Sequence, residues 1–202
     1  MPLLSHPPLP AADPETRERA VRTVVARRAL EAAAPSIGPA SLAGRLPELA
    51  GAGREARGDT EHDGLDDAEA HFRDLLEAGF LVAAADGTDE AELAALADLI
   101  AAAAGSRASR AAVRALLDEL REGLERDGLE RRLDSLAPRF GDFIAREEAL
   151  GFASLVALAD GNLGDPEALA LLALARRLDY SRGEVEAVLS ETAQALSRAL
   201  TE

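Results

Sequence analysis

Two heptads constrain this chain more than any other feature. LVAAADG at residues 81–87 and LVALADG at 155–161 agree at six of seven positions, 74 residues apart. Each ends an apolar run on Asp-Gly, and glycine accepts the left-handed backbone that closes a helix. A second pair of segments repeats further on. SRAAVRALLDELREGL (109–124) and SRGEVEAVLSETAQAL (181–196) match at seven of sixteen positions, with Val113 aligned to Val185, Leu117 to Leu189 and Leu124 to Leu196. The offset there is 72 residues, so a small length change separates the two matches. The chain thus reads as two copies of helix, Asp-Gly corner, acid-led helix and Ser-led helix. Two copies are too few for a solenoid. A pseudo-twofold bundle, each copy covering the other's apolar face, is the predicted architecture.

Composition agrees. Hydrophobic residues are 48% of the chain but aromatics only 3%. Ala and Leu dominate, which favours helices packed through small side chains, so the fold class is all-α. Apolar spacing predicts a helix over 66–85 with Phe72, Leu75, Leu76, Phe80 and Leu81 toward the core. Others are predicted over 89–104, from Ser109 to Asp127-Gly128, over 129–136 up to Pro138, over 139–159, from Asp165 to about Leu178, and from Ser181 to about Leu200.

These elements form a domain over 65–202, with repeats near 66–127 and 139–200. Residues 1–64 read as an N-terminal extension. Residues 1–12 are Pro-rich and read as lacking fixed structure, 13–34 as one helix carrying Val21, Val24 and Val25, and 35–64 as a Gly/Pro-rich linker. That helix either lies on its own domain or docks on a partner.

Charge narrows the function classes. The net charge is −15; residues 65–202 hold 14 arginines against 28 carboxylates, or −14. Such a surface repels phosphate backbones, which argues against a nucleic-acid partner and favours cations or basic protein surfaces. There is no Cys and hence no thiolate chemistry. No run of 18 apolar residues and no signal-peptide pattern occurs, so the predicted location is cytoplasmic, without membrane insertion.

The acids at the corners admit two readings. As helix-end residues, Thr88 and Asp165 are N-caps, Asp89, Glu90, Glu92 and Glu167 complement the macrodipole, and Ser181 with Glu184 forms a capping box. As a site, Asp86, Glu92, Asp160 and Glu167 would be gathered by pseudo-symmetry into a carboxylate cluster for a hard divalent cation such as Ca²⁺, Mg²⁺ or Mn²⁺. DGNLGDPEAL is not an EF-hand, because Asp165 stands where the loop needs Gly and Leu171 where it needs Glu. His71, with Asp67 four residues before and Asp74 three after, shares one helical face with them. That face reads as an exposed, salt-linked histidine, with a metal held by all three side chains or the seed of an uncharted active site as the functional alternatives. No P-loop, nucleophile elbow or dinucleotide fingerprint is present, and the chain reads as no enzyme.

Ala85-Asp86-Gly87 with Glu92, and Ala159-Asp160-Gly161 with Glu167, set in an acidic helical domain, resemble the tellurite-resistance TerB family and the N-terminal region of DjlA-type membrane co-chaperones. The resemblance covers roughly residues 66–200. It implies a compact all-α fold of about seven helices and a cytoplasmic module of tellurite or stress response. It also implies metal bound at Asp86, Glu92, Asp160 and Glu167, and protein partners at the membrane. The first corner departs from the second, since Asp86 precedes Glu92 by six residues and Asp160 precedes Glu167 by seven. His6 is followed by Pro7 and Pro8 rather than Pro-Asp, so a J-domain role is unsupported. A metal-free protein-interaction scaffold of the same fold is the first alternative, and an enzyme built on His71 and carboxylates the second.

Overall fold

The structure, a computed structural model, describes residues 3–13, 15–17, 19–24, 63–87, 96–97 and 110–201, excepting the side chains of 63–69, 110 and 112. The described residues form helices and no strand, so the chain is all-α. The α-helices are α1 (Asp63–Ala83), α2 (Arg110–Asp127), α3 (Leu129–Leu136), α4 (Phe143–Ala157), α5 (Asp165–Arg177) and α6 (Arg182–Thr201), with 3-10 turns at Ala84–Asp86 and Ala137–Arg139. Among the described residues no helix is long and apolar enough to cross a membrane.

Glycine sets several of the breaks. Gly87, Gly128 and Gly161 have φ of +112°, +77° and +88°, values that an L side chain rarely adopts. Helix α1 buries Leu76, Phe80 and Leu81, and α2 buries Val113, Leu116, Leu117 and Leu120, at the three- and four-residue steps that the sequence prescribes. Of the predicted helix at 89–104, only Leu96 and Ala97 are described; both are helical, Ala97 is buried in the core and half-buried Leu96 packs against it. The rest, Thr88 and Glu92 included, lies outside the described residues.

Helices α1 and α4 make the most extensive helix–helix contact. On α1, His71 meets Glu148 of α4, and two turns later the open face of Gly79 lies against Phe152 and Val156. Sequence advances in the same sense on both helices, so they run side by side and parallel. The two Asp-Gly corners that follow them therefore leave the pair at the same end. The absence of a Cβ at Gly79 permits this approach; one placed there would stand 2.7 Å from Phe152 Cε1 and 2.9 Å from Val156 Cγ2.

Three local expectations need correction. Helix α4 starts at Phe143 rather than 139, because Asp142 caps it, its carboxylate accepting the Ala145 N–H at 2.8 Å. Phe140 instead drops into the core, 1% exposed. Asp165 is the first residue of α5 and not its cap. Gly164 is the cap residue, and Glu167 reaches back to accept the Gly164 N–H at 2.8 Å.

The third correction is the N-terminus. Residues 3–13 have no regular secondary structure and lie against the body, with Leu4 only 3% exposed and Leu3 and Leu9 packed against the same core. Prolines 7, 8 and 10 pre-set an extended backbone, which lowers the entropy lost on docking. Asp13 then caps a helical stretch, its Oδ1 accepting the Thr16 N–H at 3.0 Å and its Oδ2 the Thr16 hydroxyl at 2.8 Å. Ala20, Val21 and Val24 of that stretch are buried in the core. Through residue 24, the segment thus lies on its own domain; Val25 and beyond fall outside the described residues.

The Ser181–Glu184 capping box forms as predicted. The Glu184 carboxylate accepts the Ser181 hydroxyl at 2.6 Å and the Ser181 N–H at 2.7 Å. Those two bonds, the hydroxyl's first, hold its pKa below the ordinary 4.5. A depressed folded-state pKa means that the contribution is complete above about 4.5 and is lost as pH falls through the lower folded value. Wild type should therefore lose part of its advantage over Glu184→Gln on acidification below that range, measured as the difference in Tm between pH 7 and pH 3.

Candidate functional site

The second Asp-Gly corner is built from the C-terminus of α4. The Ala159 N–H donates to Val156 O at 3.1 Å and the Gly161 N–H to Leu158 O at 3.0 Å, tightening the last turn. Asp160 Oδ1 accepts the Asn162 N–H at 2.8 Å, a local turn bond of the kind that aspartate favours. The Asp160 carbonyl points outward and accepts from the Arg17 guanidinium of the N-terminal segment. That guanidinium lies over Gly161, where a Cβ would come 3.0 Å from Arg17 Cζ. Gly161 thus serves twice, for its positive φ and for the seat that it opens.

The first corner differs. The Gly87 N–H donates to Ala84 O at 3.2 Å, Asp86 is exposed, and a Cβ at Gly87 would meet nothing within 4 Å among the described residues. Its 3-10 turn packs against α5.

As metal ligands, the four predicted carboxylates fare unequally. Glu92 lies outside the described residues. Asp160 and Glu167 each spend one oxygen on a backbone N–H of their own corner, the role of helix-end residues. Among the described residues, no three His, Cys, Asp or Glu side chains gather as a metal site. Asp86, Asp160 and Glu167 therefore share one end of the fold without forming a three-carboxylate cage.

Among the described residues, His71 finds its acidic partner across the helix pair, on α4. Its Nε2 lies 2.7 Å from Glu148 Oε2, its side chain is 33% exposed, and its ring stands edge-on to Phe140 at 6.0 Å. Asp74 turns instead to Arg139 at 2.8 Å, and the Asp67 side chain lies outside the described residues. Fifteen residues of helix, roughly 22 Å, separate His71 from Asp86.

The charged group that sequence reasoning missed is Glu77. Its side chain is 2% exposed, bonded to Arg132 of α3 and 3.8 Å from Arg139. The Arg132 guanidinium lies across Gly123 of α2, 3.3 Å from where a Cβ would be, and reaches Asp127 at 3.6 Å. Three helices are tied there by one arginine. The available signal was an acid set between Leu76 and Ala78 on a core-facing helix.

No family model, curated protein or solved structure matches the chain.

Proposed function

We propose that this chain is a non-enzymatic, TerB-like helical module that works by binding protein partners without needing a metal ion. One observation carries the reading: the Asp160 corner holds a peptide segment, with a guanidinium on its carbonyl and half-buried Leu9 and buried Val21 beside it. A surface that seats one segment of chain has the chemistry to seat another. The parallel pairing of α1 and α4 supports a duplicated, TerB-like build, since Gly79 meets residues 73 and 77 positions later, bracketing the 74-residue repeat. The setting in tellurite or stress response, beside membrane-associated partners in the cytoplasm, is carried by the resemblance alone.

The competing outcome is a divalent cation held by Asp86, Glu92, Asp160 and Glu167. A ligand that binds only the folded state raises Tm by mass action, about 2.7 kcal/mol at a hundred times its Kd. The metal-free reading predicts that millimolar Ca²⁺, Mg²⁺ or Mn²⁺ leaves Tm unchanged, both in wild type and in Asp86→Asn/Asp160→Asn. A rise seen in wild type and lost in the double variant would assign the ion to these corners and overturn the reading.

A further inference from the structure

We propose that the exposed apolar face at the first turn of α4, formed by Phe143 and Ile144 beside Tyr180, docks a basic protein segment that lays an arginine across Phe143 onto Glu147 and an apolar side chain against Ile144. The proposal rests on the interaction-module reading above, and it places the partner at the end of α4 opposite the Asp160 corner.

Phe143 and Ile144 are each 67% exposed and stand next to one another. Of the phenylalanines and the one tyrosine in the chain, Phe143 alone is exposed; the others are buried or half-buried. Its ring lies 6.3 Å from that of half-buried Tyr180, tilted by 33°. Scattered apolar side chains are ordinary on a surface, whereas a contiguous set marks a contact. The repeat shows that the fold does not demand them. At the 74-residue offset Phe143 and Ile144 correspond to Glu69 and Ala70, and at the 72-residue offset Tyr180 corresponds to Ala108.

The face is held in shape from behind. Asp179 has a φ of +66°, a conformation that usually falls to glycine after a helix. Its carboxylate, which glycine would lack, accepts from Arg146 of α4 at 2.6 Å. Arg146 Nε in turn donates to the Phe140 carbonyl at 3.2 Å. The corner between α5 and α6 is thereby pinned to the start of α4, with Tyr180 beside Phe143. A surface fixed in advance loses little entropy on docking.

Charge selects the occupant. Residues 142–148 and 179–186 hold six carboxylates against two arginines. Both arginines are engaged, Arg146 as described and Arg182 with Glu186 and the Leu3 carbonyl. Glu147 is exposed and lies four residues from Phe143, on the same helical face. Burial raises the Tyr180 pKa above its ordinary 10, and the charges of Glu147 and then Glu184 raise it further, which places both carboxylates beside the ring. An aromatic face next to a carboxylate suits a guanidinium, which stacks on the one and pairs with the other. A second copy of the chain would set the same acidic rim against this one, and an anionic membrane would meet the same repulsion.

The test uses the full chain and a labelled amphipathic peptide with arginine on its polar face and leucine on its apolar face, followed by fluorescence anisotropy. Phe143→Ser/Ile144→Ser should weaken binding at least about tenfold while keeping the Tm of wild type. Glu147→Arg should weaken it about tenfold at low salt, a margin that fades at about 0.5 M salt. Leu169→Ser, on an exposed apolar residue of α5, should leave affinity unchanged. The same peptide with glutamate in place of arginine should not bind. No binding of the arginine peptide up to about 1 mM overturns the proposal. So does equal affinity for wild type and the two face variants, which would mean attraction to the acidic surface at large. A dimer in sedimentation equilibrium that Phe143→Ser/Ile144→Ser abolishes would assign the face to a second copy, and co-sedimentation with anionic phosphatidylglycerol vesicles abolished by the same variant would assign it to lipid; either overturns the basic partner. None of those results touches the interaction reading, which falls instead to a cation-dependent Tm shift at the corners.

Discussion

Replacing Arg132 with methionine is expected to lower the unfolding free energy by about 3–5 kcal/mol. The Glu77 carboxylate, 2% exposed, would lose its direct partner and keep Arg139 no closer than 3.8 Å. A buried ionised group without close compensation carries most of its desolvation cost into the folded state. In a chain of 202 residues this corresponds to a fall in Tm of roughly 6–20 °C. The double variant Glu77→Leu/Arg132→Met should recover most of the loss, since two apolar side chains of similar size remove both charges together. Chemical denaturation of the two variants and wild type measures the coupling directly. A single variant within 1 kcal/mol of wild type would mean that water reaches Glu77 and that the tie among α1, α2 and α3 contributes little.

Gly79→Ala is the second large effect, and here two terms oppose each other. Alanine stabilises a helix interior over glycine by up to about 1 kcal/mol. Against that, the new methyl would stand 2.7 Å from a Phe152 ring carbon and 2.9 Å from a Val156 methyl, closer than van der Waals contact allows. Overpacking of this kind costs about 1–3 kcal/mol, so a net loss of about 1–2 kcal/mol is expected. Phe152→Leu in the same chain should return part of it by vacating the ring edge, and non-additivity in the cycle would localise the clash to the α1–α4 contact. A stabilising Gly79→Ala would show that the two helices lie further apart than described.

The sequence was most informative where a feature is local. Helix ends at Gly87, Gly128 and Gly161 follow from glycine's backbone freedom, and the Ser181–Glu184 box from residues three apart. The core positions of α1 and α2 follow from apolar spacing. Features that depend on distant residues were not legible. Glu77 reads as one more helical acid until Arg132, 55 residues on, covers it. Phe140 reads as helix because it is apolar, yet Gly141 and Asp142 behind it move the helix start to Phe143. Leu4 reads as part of a Pro-rich tail without fixed structure, and α6 and the Asp160 corner, far along the chain, give that tail somewhere to lie. The candidate site shows the same division. Asp160 and Glu167 were correctly placed at helix ends, whereas the guanidinium over Gly161 comes from 144 residues earlier.

The account depends on α1 and α4 lying parallel, so that the corners at Asp86 and Asp160 share one end of the molecule. The chain has no cysteine, so engineered pairs are the only labelling sites. Asp86 and Asp160 are exposed, and Ile144, 67% exposed, marks the opposite end of α4, about 22 Å away along that helix. Pulsed dipolar spectroscopy on Asp86→Cys/Asp160→Cys and on Asp86→Cys/Ile144→Cys should give the shorter spin–spin distance for the first pair. A shorter distance for the second pair would make the two helices antiparallel, separate the corners and contradict the account.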